Sequence, residues 1–294
     1  MRKFRHKRIP GRSLARQRFR VRVGWPVRHG WLARAERSLR ADRPLRLTRE
    51  LEAQWTALHR LCTDRGSRTR LVRLIDRLTG NERGAQESAL AELELATLLV
   101  RAGVSVRFLP ESQSRTADLE CCLEQDRFFV EVTAMVGSTS CLPLEMTKRV
   151  RQMDDVEDGE DGRTLINRLV ARVSQKARQL DNYCAPVLLA ITVPHRDGQR
   201  DGLRNGVGEE LDLKQLASAV TLMLPLVSQI SAVLLSLWDV RPLPARSGVR
   251  LANVQAVQRP PQQTAYPRVR LLILNPAAGY PLSPPGIKAL RGLL

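Results

Sequence analysis

The stretch that decides the fold is ADLECCLEQDRFFVEVTA, residues 117–134, in which two apolar-rich runs flank the polar segment 124–127. Successive side chains of a β-strand point to opposite faces of the sheet, so residues of the same parity share a face. Each run then has one wholly apolar face and one face that carries carboxylates, those of Asp118, Glu120 and Glu131. We therefore predict two antiparallel strands, 117–123 and 128–134, joined by a polar turn.

The acids of these two strands should lie close together. If the turn pairs Leu123 with Phe128, Glu131 faces Glu120 directly and lies diagonal to Asp118, at roughly 7–8 Å between Cα atoms. Two carboxylates at that separation can reach one cation, and Mg²⁺ usually takes one or two carboxylates together with water and phosphate oxygens. The hairpin therefore predicts a metal site at Asp118 and Glu131.

Helices and further strands are predicted on both sides of the hairpin. Upstream, the apolar segment 87–103 predicts a buried helix that Asn81 can cap and that Gly103 ends, and a strand follows at 104–108. A helical hairpin is predicted before it, at 47–80. Downstream we predict a helix at 164–180, a strand at 187–193, a helix near 209–226, a strand near 230–238, a proline-rich connection at 241–267 and a strand at 269–274. This order indicates an α/β protein in which helices flank a mixed β-sheet.

The same order of elements resembles the PD-(D/E)XK nuclease superfamily, the restriction-endonuclease-like enzymes, in which a helix bearing Glu precedes strands bearing Asp and then Glu-x-Lys. The stretches that carry the resemblance are AELELATLLVRAGVSVRFLP, RTADLE and FFVEVT. The resemblance implies a restriction-endonuclease-like domain at 81–294, with its core at 84–195 and a C-terminal sheet extension at 203–294. It also implies that Glu92 is the helix acid, Asp118 the metal-binding strand acid and Glu131 the acid of the E-x-K element.

The chain departs from that pattern at position 133, where Thr133 stands in place of the lysine. Some members of the superfamily place the lysine on the following helix, where this chain has Lys176, with Gln179 three residues later. A step of about 100° per residue puts Lys176 about 60° from the centre of that helix's apolar stripe, so its side chain can reach the sheet. Lys176 and Gln179 are therefore candidate catalytic residues, and a solvated helix flank is the alternative for both.

Glu92 also has an alternative. The predicted helix carries Glu87 and Glu94 as well, and either of these could take the place of Glu92 as the helix acid.

The N-terminus has an unusual charge. The chain holds 48 Lys and Arg against 30 Asp and Glu, and 17 of the basic residues but only three of the acidic ones lie among the first 50 positions. Arginine grips phosphate bidentately, and neutralised phosphates release counterions, so a basic arm at 1–46 suits nucleic acid. A solvated tail, or a start codon placed too early, is the alternative.

The cysteines and the apolar segments bear on the cellular compartment. Five cysteines without C-x-x-C spacing predict neither a disulfide framework nor a zinc site, which fits a cytoplasmic protein. Residues 216–240 are apolar enough to raise the question of a membrane span, but Pro225 and several serines interrupt them, so we expect a helix followed by a buried strand.

Together these features predict a metal-dependent nuclease that hydrolyses phosphodiester bonds in DNA. Mg²⁺ is the expected cofactor, and Mn²⁺ is an alternative. The arm and the core are the expected contacts with nucleic acid, and no membrane span is expected. Two other functions stay open: a catalytically inactive module that binds nucleic acid or protein on the same fold, and a membrane-surface protein that uses the arm on anionic lipid.

Overall fold

The computed structural model describes residues 45–80, 82–110, 117–135, 161–194, 209–238, 240–243, 252–263 and 266–294. The predicted arm at 1–46 lies outside these residues except for its last two, and the predicted helix cap Asn81 also lies outside them.

Six α-helices and nine β-strands are formed by the described residues. The helices are α1 Leu45–Leu61, α2 Arg65–Thr79, α3 Arg83–Arg101, α4 Asp161–Gln179, α5 Leu213–Met223 and α6 Pro284–Arg291. The strands are β1 Ser105–Phe108, β2 Leu119–Leu123, β3 Asp126–Ala134, β4 Val187–Val193, β5 Glu209–Leu211, β6 Ala232–Leu237, β7 Val240–Pro242, β8 Val254–Gln258 and β9 Val269–Leu274. The protein is therefore mixed α/β, as the sequence predicts.

Seven of the strands form one mixed sheet in the order β1-β2-β3-β4-β6-β9-β8. The central strands β3, β4 and β6 run parallel to each other, and the remaining neighbours pair antiparallel, so most pairings in the sheet are antiparallel. The two strands predicted last, here β6 and β9, extend the same sheet, as one of the predicted arrangements has it. A separate pair of short parallel strands, β5 and β7, lies beside it.

The predicted register of the β2–β3 hairpin is wrong by two residues. The turn consists of Glu124 and Gln125 alone, β3 already begins at Asp126, and Leu123 pairs with Asp126. Glu124 has a φ of 57°, the left-handed conformation that tight two-residue hairpin turns use. Because the shift is even, every side chain keeps its predicted face, but Glu120 now faces Phe129 and not Glu131.

Hydrophobic clusters cover both faces of the sheet. Alternate residues of β2 and β3, among them Leu119, Cys121 and Val130, pack against α2, α3 and α6 on one face. The other face packs against α4 and α5 through residues such as Leu189, Val233 and Ile273. The parallel strands are thus buried on both sides, which explains why β4 is apolar at nearly every position.

Several predicted elements differ from the structure in the C-terminal third. The helix predicted near 209–226 is preceded by strand β5, because Asp212 caps the helix through the N–H groups of Lys214 and Gln215. The segment predicted as a proline-rich connection contains β7 and β8, and α6 near the C-terminus was not predicted. β7 and β8 are short and lack the continuous apolar run that marks the buried strands β4 and β9, which is why the sequence does not reveal them.

None of the helices in the described part of the chain is both long and apolar enough to cross a membrane. The described residues of the segment 216–240 form the later part of α5, a 3₁₀ helix at Leu224–Leu226, strand β6 and the first residue of β7.

Candidate active site

Asp118 lies immediately before β2, beside the middle of β3. Its backbone N–H donates to the carbonyl of Val130 at 3.0 Å, and its carboxylate Oδ2 accepts from the backbone N–H of Val132 at 2.8 Å. The carboxylate therefore reaches along β3 past Glu131. This contact holds Asp118 beside the acid that the sequence places on the next strand.

Glu92 joins Asp118 through an arginine from α2. Arg70 donates to both carboxylate oxygens of Glu92, from Nε at 3.0 Å and from Nη2 at 2.9 Å, and Nη2 also donates to Oδ1 of Asp118 at 2.9 Å. Only 3% of the side chain of Arg70 and 3% of that of Glu92 is exposed. The bidentate pair fixes the orientation of the Glu92 carboxylate, and the single bond from Nη2 ties Asp118 to it.

Glu131 meets a lysine from the opposite layer of helices. Lys176 on α4 donates from Nζ to Oε1 of Glu131 at 2.6 Å. Ile166, Leu169, Val173 and Ala177 of α4 are buried, and Lys176 flanks this stripe as its helical spacing predicts. The lysine thus reaches the acid of the EVT segment from α4, although position 133 on the strand is Thr133.

Other acids on these elements form ion pairs outside the cluster of Glu92, Asp118 and Glu131. Glu120 forms ion pairs with Arg107 and Arg127 on the neighbouring strands, so surface arginines balance its charge. Glu94 pairs with Arg270 of β9 at 3.3 Å. Of the three helix acids, it is therefore Glu92 that an arginine links to Asp118.

The electrostatic state of the acids follows from burial and from their proximity. Burial, followed by the charge of Asp118, raises the pKa of Glu92 to about 8, although Arg70 acts in the opposite direction. The same two causes raise the pKa of Glu131 to about 7 against the effect of Lys176. Burial also raises the pKa of Asp118, against the hydrogen bond from Val132. Burial is thus the largest cause of all three shifts. Counted as charges, three carboxylates face two cations in direct contact with them, Arg70 and Lys176, so the contacts leave the cluster short of positive charge.

A divalent cation suits this shortage, and the donor set limits how it could be held. None of the described residues form a group of three His, Cys, Asp or Glu side chains able to hold a metal ion. Arg70 binds Glu92 bidentately and only 3% of the Glu92 side chain is exposed, whereas 18% of the Asp118 side chain and 8% of that of Glu131 are exposed. Asp118 and Glu131 are therefore the two residues that would hold Mg²⁺ or Mn²⁺, a number that matches the one or two carboxylates usual for Mg²⁺.

Two of the residues singled out from the sequence stand apart from the acids. Gln179 is half-buried on α4 and makes no hydrogen bond to these acids within the described structure. Thr133 is buried on β3, two residues beyond Glu131. Neither contributes a charge to the site.

Sequence reasoning missed two residues that the structure brings to the site. Arg70 is hidden in the sequence because α2 contains five arginines; the available signal is its position on the flank of the apolar stripe Leu71, Leu74 and Leu78. Tyr183, whose hydroxyl oxygen accepts from the N–H of Ala117, packs edge-on against Phe129. Tyr183 lies in a loop after α4, where no periodicity could mark it.

Comparisons with known proteins add no relative: no protein-family model, no curated protein sequence and no solved structure matches the chain. The functional interpretation of the candidate site therefore rests on the chemistry and geometry of its own residues.

Proposed function

We propose that this protein is a metal-dependent nuclease with a restriction-endonuclease-like core that hydrolyses phosphodiester bonds in DNA. The observation that carries the proposal is that the helix acid Glu92, the strand acid Asp118 and the Glu131–Lys176 pair converge beside the middle of β3. These are the groups that a phosphodiesterase of this kind requires. Their elements also follow each other in the order helix, strand, hairpin strand and helix.

The residues of the chain would divide the work as follows. Asp118 and Glu131 would hold Mg²⁺ or Mn²⁺, which supplies an activated water and stabilises charge on the phosphate oxygens. Lys176, held by Glu131, would provide a compact cation next to the attacking water or the phosphate. Glu92 keeps Arg70 against Asp118, so the two fix the position of the metal-binding carboxylate.

The test is a plasmid-nicking assay with Mg²⁺ or Mn²⁺ on three matched variants. Asp118→Asn and Glu131→Gln should each abolish nicking and leave the fold intact, because each loses the charge that binds metal but keeps a similar shape. Thermal unfolding checks that both variants are folded. Glu120→Gln is the control, since Glu120 is a buried acid of the same hairpin whose partners are Arg107 and Arg127.

Nicking that persists in both site variants would refute the assignment. The alternative, an inactive nucleic-acid-binding or protein-interaction module, makes a different prediction. A wild-type protein that binds DNA but never nicks it with Mg²⁺ or Mn²⁺ would favour that module, for which Thr133 is the sequence evidence.

A further inference from the structure

Helix α2 carries arginines on two sides. With a step of about 100° per residue, Arg77 lies about 20° and Arg73 about 60° from Arg70 around the helix axis. Arg65 and Arg68 lie about 140–160° from Arg70, on the other side. The apolar stripe that packs α2 onto α3 separates Arg70 from Arg68, so one flank of the helix carries Arg70, Arg73 and Arg77.

The contacts of Arg70 fix the direction of that flank. Arg70 reaches Glu92 and Asp118 at 2.9 Å, so the flank that bears it must face the candidate active site. Arg77 is half-buried and close enough to lower the pKa of Glu92 and of Asp118, whereas Arg73 is exposed. Exposure therefore increases from Arg70, inside the site, through Arg77 to Arg73 at the protein surface.

This arrangement suits a chain of phosphates. Five arginines and one aspartate give α2 an excess of positive charge directly beside an acidic site. Arginine is the side chain best shaped to hold phosphate oxygens, and contacts to backbone phosphates position a protein on nucleic acid without reading its sequence. Metal and lysine would address one phosphate, and Arg73 and Arg77 lie on the same flank of α2 as Arg70, which contacts the metal-binding acid Asp118.

We infer that the Arg73–Arg77 flank of α2 binds the DNA backbone phosphates adjacent to the phosphate held at Asp118 and Glu131. The inference rests on the proposed function for the identity of that central phosphate. It names one helix flank within the core as part of the nucleic-acid contact, which the sequence alone placed on the N-terminal arm and the core.

Two double variants of the full chain test the inference, because each removes two positive charges from the same helix. Arg73→Gln with Arg77→Gln changes the flank that faces the site, and Arg65→Gln with Arg68→Gln changes the opposite one. Binding to a fluorescein-labelled DNA duplex is measured by anisotropy with EDTA present, over a series of salt concentrations. The first variant should reduce the slope of log K against log salt by about 1.8, or 0.9 for each lost phosphate contact. The second should leave the slope near that of the wild type.

Three results would overturn the inference: equal slopes for both variants, a larger change in the Arg65 and Arg68 variant, or a wild type that does not bind the duplex. Thermal unfolding of each variant shows that the comparison is between folded proteins. Nicking with Mg²⁺ is assayed separately on the wild type. Absence of nicking together with the expected difference in slope would refute the nuclease proposal and leave the phosphate-binding flank in place.

Discussion

Arg70 and Arg270 are both buried, with 3% of each side chain exposed, but their surroundings differ. Arg70 lies between Glu92 and Asp118, whose carboxylates accept its hydrogen bonds. Arg270 on β9 donates to the backbone carbonyl of Leu293, just after α6, and to Glu94, whose side chain is 24% exposed.

The comparison separates a structural arginine from one that belongs to a site. The cluster at Arg270 combines one ion pair, to the partly exposed Glu94, with a bond to a neutral backbone carbonyl that attaches the C-terminal segment to the sheet. The cluster at Arg70 gathers carboxylates whose pKa values remain raised despite the arginine. Burial is the main cause for both acids, and the charge of Asp118 adds to it for Glu92. Buried carboxylates whose raised pKa values an arginine only partly offsets are typical of sites where a further cation or a substrate binds.

The largest expected effect is the loss of stability on removal of Arg70. Arg70→Met should lower the free energy of unfolding by about 3–5 kcal/mol, because it leaves the buried side chains of Glu92 and Asp118 without the arginine that donates hydrogen bonds to both. Arg270→Met should cost about 1–3 kcal/mol, the range for an unsatisfied buried hydrogen-bonding group. Urea unfolding measures both.

A double variant sharpens this first prediction. The double variant Arg70→Met with Glu92→Leu should recover much of the lost stability, since the buried acid Glu92 is removed together with the arginine that pairs with it. A greater cost for Arg270→Met than for Arg70→Met would contradict the distinction between the two arginines.

The next effect concerns turnover. Lys176→Ala should lower the rate of cleavage by a factor of roughly 10²–10³, comparable to the loss of one preorganised donor to the transition state, and should change DNA affinity much less. Lys176→Arg should restore the rate only in part, because a planar guanidinium does not occupy the place of a compact ammonium. Single-turnover cleavage and binding assays separate the two quantities.

Arg270→Met is the control for turnover, since its contacts lie away from Glu131 and it should cleave like the wild type once folded. Thr133→Lys in the Lys176→Ala background tests whether the lysine has moved from strand to helix, and partial recovery is expected. A Lys176→Ala variant that cleaves at the wild-type rate would remove Lys176 from the site.

The sequence alone predicted the central part of the fold because that part has strong periodicity. Val187–Val193 and Val269–Leu274 match the predicted strands to the residue, since apolar runs of that length are typical of buried strands. Glu131 interrupts an apolar run, and Lys176 flanks an apolar stripe, so the sequence pattern was enough to single out both. The mixed α/β class follows from the same patterns.

The remainder depends on contacts that no local pattern reveals. The hairpin register was set by a two-residue turn at Glu124 and Gln125, neither of which is glycine or asparagine. Arg70 enters the site from 48 residues before Asp118, and only packing of α2 on α3 brings them together. Glu87, Glu92 and Glu94 look alike in the sequence and differ only in their partners.

The last effect is the pH dependence that Glu92 gives to stability, with a slope of at most about 1.4 kcal/mol per pH unit. Its pKa is raised from 4.5 to about 8 in the folded protein. Below pH 4.5 the side chain is protonated in both states and makes no contribution. Between these values the unfolded chain loses the proton while the folded protein keeps it, so stability falls as pH rises, and above pH 8 the penalty is constant.

Glu92→Gln cannot ionise, so the variant should lack this part of the fall. Asp118 and Glu131 remain in both proteins, and the hydrogen bond that the amide loses to Arg70 adds an offset independent of pH. Urea unfolding of both proteins, without divalent metal, should therefore show stability curves that diverge in favour of the variant from pH 5 to 8 and run parallel above pH 9. Curves that stay parallel throughout would mean that Arg70 keeps Glu92 ionised, and the acids would then be fully balanced by the protein's own cations. In that case the difference between the Arg70 and Arg270 clusters would lie in their partners alone, and the shortage of positive charge that favours a metal ion at Asp118 and Glu131 would be lost.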